Sequence, residues 1–150
     1  MEQVFTKPDF TTQPDNYRVL TATLTGIQAP GVTFPVTIVG TNWSGEQISD
    51  TANVTSTTEF VKPFRTVTKI FLPPNTSGTH AISIGTSSRL GLHTPLTDGS
   101  DLLLVSKSVN GAAFLPETFN LADFDFVNHT LKIPTITAGA SYEITYRASE

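Results

Sequence analysis

A chemical site in this 150-residue chain would have to be built from three histidines, thirteen Asp and Glu side chains and a single tryptophan, because cysteine is absent. His80, His93 and His129 stand far apart, and none lies two or four positions from another. The paired spacing that starts a zinc site on one strand or helix face is therefore missing, so neither a metal nor a cofactor is expected. Glu46 and Asp50, four residues apart, would share a strand face and could imitate a glycosidase pair, although such pairs arise often by chance. Asp98 and Asp101 flank Gly99 and can offer oxygens to calcium, yet an Asp-Gly turn is the simpler account. The stretch GTSSRLG from Gly85 to Gly91 has phosphate-loop glycine spacing, but Leu92 and His93 follow where Lys and Ser/Thr are required. A G-x-S-x-G elbow is lacking and the thiol route is closed. The expectation is a protein that is not an enzyme.

Two surface chemistries remain. The sequons at Asn42, Asn53, Asn75 and Asn128 follow by chance from a threonine-rich chain, and the opening MEQVFTKPDF lacks the basic and apolar regions of a secretory signal. Trp43, in the turn NWSGEQ, carries a flat ring that can stack on a sugar, with Tyr17, Tyr142 and Tyr146 as the other amphipathic aromatics. It is the candidate glycan contact.

The elements that must position these residues read as strands. Leu20, Ala22 and Leu24 alternate with Thr21, Thr23 and Thr25, which places aliphatics on one face and hydroxyls on the other. Phe34, Val36 and Ile38 share the next face, with Pro35 at an edge or a bulge because it cannot donate to a ladder. Ile48, Asp50, Ala52 and Val54 form a third set. In RTVTKIFLPP, strict alternation sets Val67 and Phe71 against Ile70 and Leu72. Ile82 and Ile84 point inward, DLLLVSKSV is a central strand, Phe124 and Phe126 alternate with Asp123 and Asp125, and Tyr142, Ile144 and Tyr146 oppose Glu143, Thr145 and Arg147. The expected fold is all-β, an antiparallel two-sheet sandwich, jelly-roll-like or immunoglobulin-like, over residues 17–150 as one domain.

Residues 1–16 differ, with Pro8, Pro14 and the isolated aromatics Phe5 and Phe10 in a stretch without sustained alternation. They read as an extended N-terminal arm. Phe5 and Phe10 are its candidate anchors in a neighbouring subunit.

Composition agrees with β structure and narrows the partners. Threonine and serine occupy 37 of 150 positions while charged residues reach only 15%, and β-branched threonine suits a pleated, half-buried surface. With a net charge of −4 and only nine scattered Lys and Arg, a nucleic-acid partner is not expected, because phosphate binding needs clustered positive charge. No run is long enough to span a membrane as a helix.

Three segments carry a family likeness. Thr37–Thr51 reads T-x-x-G-T-N-x-x-G-E-x-I-x-D-T, Phe64–Leu72 reads F-R-T-V-T-K-I-x-L, and Ile82–Leu96 reads I-S-I-G-T-S-S-R-L-G-L-H-T-P-L. Together they resemble small structural proteins of tailed bacteriophages and prophages, with His93 standing where that pattern more often has proline. The resemblance implies a virion structural protein, foremost a capsid decoration or cement protein, with a tail or head-fibre component or a carbohydrate-binding module as neighbouring readings. It implies as partners the chain itself, with a homotrimer at three-fold lattice positions as a natural oligomer, and the major capsid protein or another virion protein. The implied location is the capsid surface after synthesis in the host cytoplasm.

Overall fold

A computed structural model describes residues 3–6, 10, 12–26, 33–74, 80–94, 96, 98–133 and 137–147. The chain divides into two compact units, residues 1–87 and 88–150. Both are built from β-strands joined by turns, and the protein is all-β, with antiparallel sheets on apolar cores.

The first unit holds β1 (Gln3–Thr6), β2 (Arg18–Gly26), β3 (Pro35–Thr41), β4 (Gln47–Asn53), β5 (Thr57–Phe64), β6 (Thr66–Leu72) and the part of β7 (His80–Gly91) that ends at Ser87. One sheet has the order β1-β6-β3-β4, and in the other β2 lies between β5 and β7. Leu20, Ala22 and Leu24 of β2 and Phe60 of β5 are buried with Val36 and Ile38 of β3 and Ile70 of β6 in a single apolar cluster. The alternation read from β2, β3 and β4 is the alternation observed. Val36 and Ile38 are 0% exposed, and cutting a fully buried Ile back to Ala removes about 2–5 kcal/mol of stability.

Two bulges modify the pattern. Val39 faces Lys69 while Gly40 faces Val67, so Thr68 is an extra residue in β6. The extra residue reverses the phase of the strand. Val67 and Ile70 are consequently both buried, at 5% and 7% exposure, instead of opposing one another as strict alternation requires. The Thr68 hydroxyl donates to Val39 O at 3.1 Å. A Cβ at Gly40 would lie 2.0 Å from Thr66 O and 2.8 Å from Phe64 Cδ1, so only glycine fits there.

In β5 the register moves from Val19 facing Pro63 to Thr21 facing Glu59. The backbone N–H groups of Val61 and Lys62, beside this shift, both donate to one Asp50 carboxylate oxygen at 2.9 Å. The carboxylate weighed above as half of an acid pair thus joins β4 to β5.

Described residues of the N-terminal segment belong to this unit. β1 pairs antiparallel with β6, Gln3 facing Leu72 and Thr6 facing Lys69. Beyond β1, the Gln13 amide accepts from Val67 N–H at 2.8 Å and donates to Val67 O at 3.1 Å, completing the ladder as a backbone amide would. Arg18, 9% exposed, binds both carboxylate oxygens of Asp15 and donates twice to Ser87 O.

The second unit holds the end of β7, β8 (Leu102–Val109), β9 (Leu115–Pro116), β10 (Phe124–Asp125), β11 (Thr130–Lys132) and β12 (Ala140–Tyr146). β11 pairs with β10 and with Arg89, Leu90 and Gly91 of β7, while β8 lies between β12 and β9. Its core is Leu90, Leu92, Leu96, Leu102, Val105, Phe124, Leu131 and Ile133, with Phe119, Tyr142, Ile144 and Tyr146 packed against it. Phe126 leaves the alternation. A turn follows β10, so Phe124 is buried while Phe126 is 39% exposed, its ring set edge-on to that of Phe124 at 4.4 Å. The turn is held by Asp125, which accepts from the N–H groups of Val127 and Asn128 and from the Asn128 side chain.

Candidate interaction surface

The hydroxyls form cross-strand pairs on the strands of the first unit. Thr23 meets Thr57 at 3.1 Å, Thr37 meets Thr51 at 2.8 Å and Thr41 meets Thr66 at 2.7 Å, each pair directly opposite across a ladder. Such pairs satisfy one another while leaving methyl groups and spare lone pairs outward. Two of these pairs lie on the sheet of β3, β4 and β6, and the third on the sheet of β2 and β5.

Trp43 sits in the β3–β4 hairpin. Asn42 N–H donates to Glu46 O, Gly45 N–H donates to Asn42 O, and Asn42 also exchanges side-chain hydrogen bonds with Glu46. Gly45 has φ +84°, the left-handed region that favours glycine. The indole is 38% exposed, the Arg65 guanidinium lies 4.7 Å from its centroid, and the Tyr17 ring is 6.4 Å away at 48°. Burial pushes the Tyr17 phenol up, against a smaller opposite effect of its hydrogen bond to the Trp43 backbone. Arg65 thus shares the stacking surface that a sugar would use.

Of the arm anchors, Phe10 packs against the core of its own unit. Phe5 faces Ile70 in the β1–β6 ladder. Phe10 also lines a cavity of about 450 Å³ with Gln13, Leu20, Ile70 and Ile84.

The candidate catalytic groups occupy separate places. Glu46 and Asp50 serve the hairpin and the β4–β5 link, and Asp98 accepts from Ser100 N–H at the start of a short 3-10 turn, which holds its carboxyl below the usual carboxylate range. The His129 backbone has φ +53°, and its Nδ1 atom is buried with no hydrogen-bond partner among the described residues. Asn75 lies outside the described residues, and the Asn128 amide is engaged by Asp125. Among the described residues no group of three His, Asp or Glu side chains is placed to hold a metal ion, and no helix is long and apolar enough to cross a membrane.

The largest exposed apolar chemistry lies where sequence reasoning named no site. Of the ten large hydrophobic side chains exposed among the described residues, seven fall between Leu103 and Val127 in the second unit: Leu103, Leu104, Phe114, Leu115, Leu121, Phe126 and Val127. Val127 is 85% and Leu115 67% exposed. These seven are close in sequence, and large exposed apolar side chains are the chemistry that a protein-contact surface uses. The signal in the sequence was the phenylalanine and leucine content of AAFLPETFNLADFDFV, whose first ten residues lack the alternation of a buried strand.

Comparison with protein-family models, with curated proteins and with solved structures finds no match to this chain.

Proposed function

We propose that this chain is a non-enzymatic structural protein of a tailed-phage virion, a capsid decoration or cement protein that binds the head lattice as a homo-oligomer. The observation that carries the reading is the concentration of exposed hydrophobic side chains from Leu103 to Val127, beside a first unit whose strands carry paired hydroxyls. A lattice multiplies each contact by symmetry, so modest apolar contacts made by every copy are enough for stable attachment. Threonine hydroxyls bring hydrogen bonds and methyl contacts to such an interface without the desolvation cost of buried ions. The likeness of Thr37–Thr51, Phe64–Leu72 and Ile82–Leu96 to phage structural proteins supplies the choice among lattices. In this reading the sheets make a sandwich of the jelly-roll-like or immunoglobulin-like class, and the contact partner is the major capsid protein.

The test is re-addition to particles assembled from a genome that lacks this gene. Purified chain should bind these particles to saturation and sediment with them, and Leu115→Ser with Val127→Ser should weaken binding at least tenfold without loss of fold. Binding unaffected by those changes, or none at all, would refute the proposal. A head-fibre or tail component would instead bind at a few sites per particle.

A further inference from the structure

β12 ends its sheet, with β8 on one side and no strand on the other among the described residues. The direction of its backbone groups can be read from its neighbours. Asn110 N–H donates to Gly139 O before the strand, and Arg147 N–H donates to Asp101 O after it. Backbone groups alternate between the two sides along an antiparallel strand, so odd-numbered residues here turn toward β8. The register shift beside Thr145 inserts Leu103 into β8, since Thr145 faces Leu104 and Tyr146 faces Leu102. The alternation along β12 is therefore unbroken, and Ile144 and Tyr146 direct their N–H and C=O groups away from the sheet. Their side chains are only partly buried against the core of the unit.

An open edge of this kind attracts another strand, and natural edges are commonly blunted by lysine, proline or a bulge in the edge strand itself. ASYEITY contains neither lysine nor proline. Its exposed face instead carries Glu143, Thr145 and, just beyond the strand, Arg147, all three exposed. The partner that fits this pattern is the same pattern reversed.

We infer that β12 pairs antiparallel with β12 of a second copy of this chain, about a two-fold axis through Thr145. In that register Ile144 of each copy faces Tyr146 of the other, and the outward N–H and C=O groups of these two residues are satisfied in each copy. Glu143 of each copy then faces Arg147 of the other at a non-hydrogen-bonded position, where side chains approach most closely. An axis through Glu143 would set two carboxylates against each other, and an axis through Ile144 would leave both charges opposite neutral residues. The contact is isologous and closes as a dimer. It depends on β12 alone and goes beyond the virion reading, because it would hold in solution for the isolated protein.

The absence of native cysteine allows a direct test. In antiparallel pairs, opposing residues at a non-hydrogen-bonded site have Cα atoms about 4.5 Å apart, within the reach of a disulfide. Thr145→Cys should give a covalent dimer under mild oxidation, while Ser141→Cys, equally exposed on β12 but four residues from the axis, should remain a monomer on a non-reducing gel. In sedimentation equilibrium the unmodified chain should dimerise with a concentration-dependent midpoint. Glu143→Arg should weaken the dimer about tenfold, as like charges directly opposite are unfavourable at both symmetric sites. Glu143→Arg combined with Arg147→Glu should restore it. A monomeric unmodified chain, cross-linking through Glu143→Cys in place of Thr145→Cys, or a dimer indifferent to charge reversal would each overturn the inference. A failed re-addition to particles with an intact charge-reversal result would count against the virion reading only.

Discussion

Gln13→Ala separates a frayed N-terminus from one built into the sheet. The Gln13 amide makes both hydrogen bonds that Val67 needs on that side of β6, at 2.8 Å and 3.1 Å, and Val67 is 5% exposed. A net protein hydrogen bond contributes about 0.5–1.5 kcal/mol, so losing two removes roughly 1–3 kcal/mol. The cavity lined by Gln13 and Val67 admits water to the orphaned groups, which places the expected loss near the lower half, about 1–2 kcal/mol. Gln13→Glu should do no better, because a carboxylate keeps the acceptor for Val67 N–H but sets a second acceptor against Val67 O. Trp43 is the only tryptophan and belongs to the first unit, so its fluorescence during urea unfolding reports that unit alone. At a urea dependence of about 1–2 kcal/mol per molar, the midpoint should fall by roughly 1 M. A midpoint unchanged within error for both variants would show that the amide contributes nothing, and would refute the claim that residues beyond β1 complete the β6 ladder.

Three further outcomes are expected. Gly40→Ala should destabilise the first unit by about 1–3 kcal/mol or prevent its folding, since the added carbon meets Thr66 O and the Phe64 ring; a neutral effect in the same urea assay would contradict the close approach. Arg65→Met should shift Trp43 emission and cost about 0.5–1 kcal/mol, the usual worth of an exposed cation–π contact, and an unchanged spectrum would mean that the guanidinium does not stack. Partial burial pushes the Asp125 carboxyl up, but the Asn128 side chain, the Asn128 and Val127 N–H groups and Arg89 outweigh it and hold the carboxyl below its usual value. A carboxyl depressed in the folded state stabilises fully above the unfolded value, about 3.9, and that stability is lost as pH falls through the lower folded value. The acid limb of the second unit's thermal midpoint, followed by near-UV circular dichroism, should therefore be shallower in Asp125→Asn, and an identical limb would dispose of the assignment.

The faces of β2, β3, β4 and β12 were legible in the sequence because burial on one side of a regular strand imposes a period of two. Bulges were not legible. Thr68 and Leu103 look like any strand residue, and only the register of a partner strand shows that each is the extra one. The same limit hid the role of Gln13, whose amide replaces a backbone group that becomes visible only when β6 is in place. β1 was missed for a different reason: four residues are too few to show alternation, and their pairing with Lys69–Leu72 is a long-range contact. Trp43 was legible as an exposed ring in a turn, but the guanidinium on it comes from Arg65, distant in sequence. The exposed residues from Leu103 to Val127 were not legible as a surface: Leu103 and Leu104 lie in an apolar run that reads as a central strand, Phe126 follows the alternation of Phe124, and a hydrophobic side chain's exposure shows only once its neighbours are in place.

The proposed role is that of a repeated component of a virion shell. Quantitative mass spectrometry of purified particles produced from the genome that encodes it is the direct test of that role. The polypeptide is expected in a fixed ratio to the major capsid protein, at hundreds of copies per particle. A handful of copies would place it at the neck or tail, and its absence from purified particles would rule out a virion role.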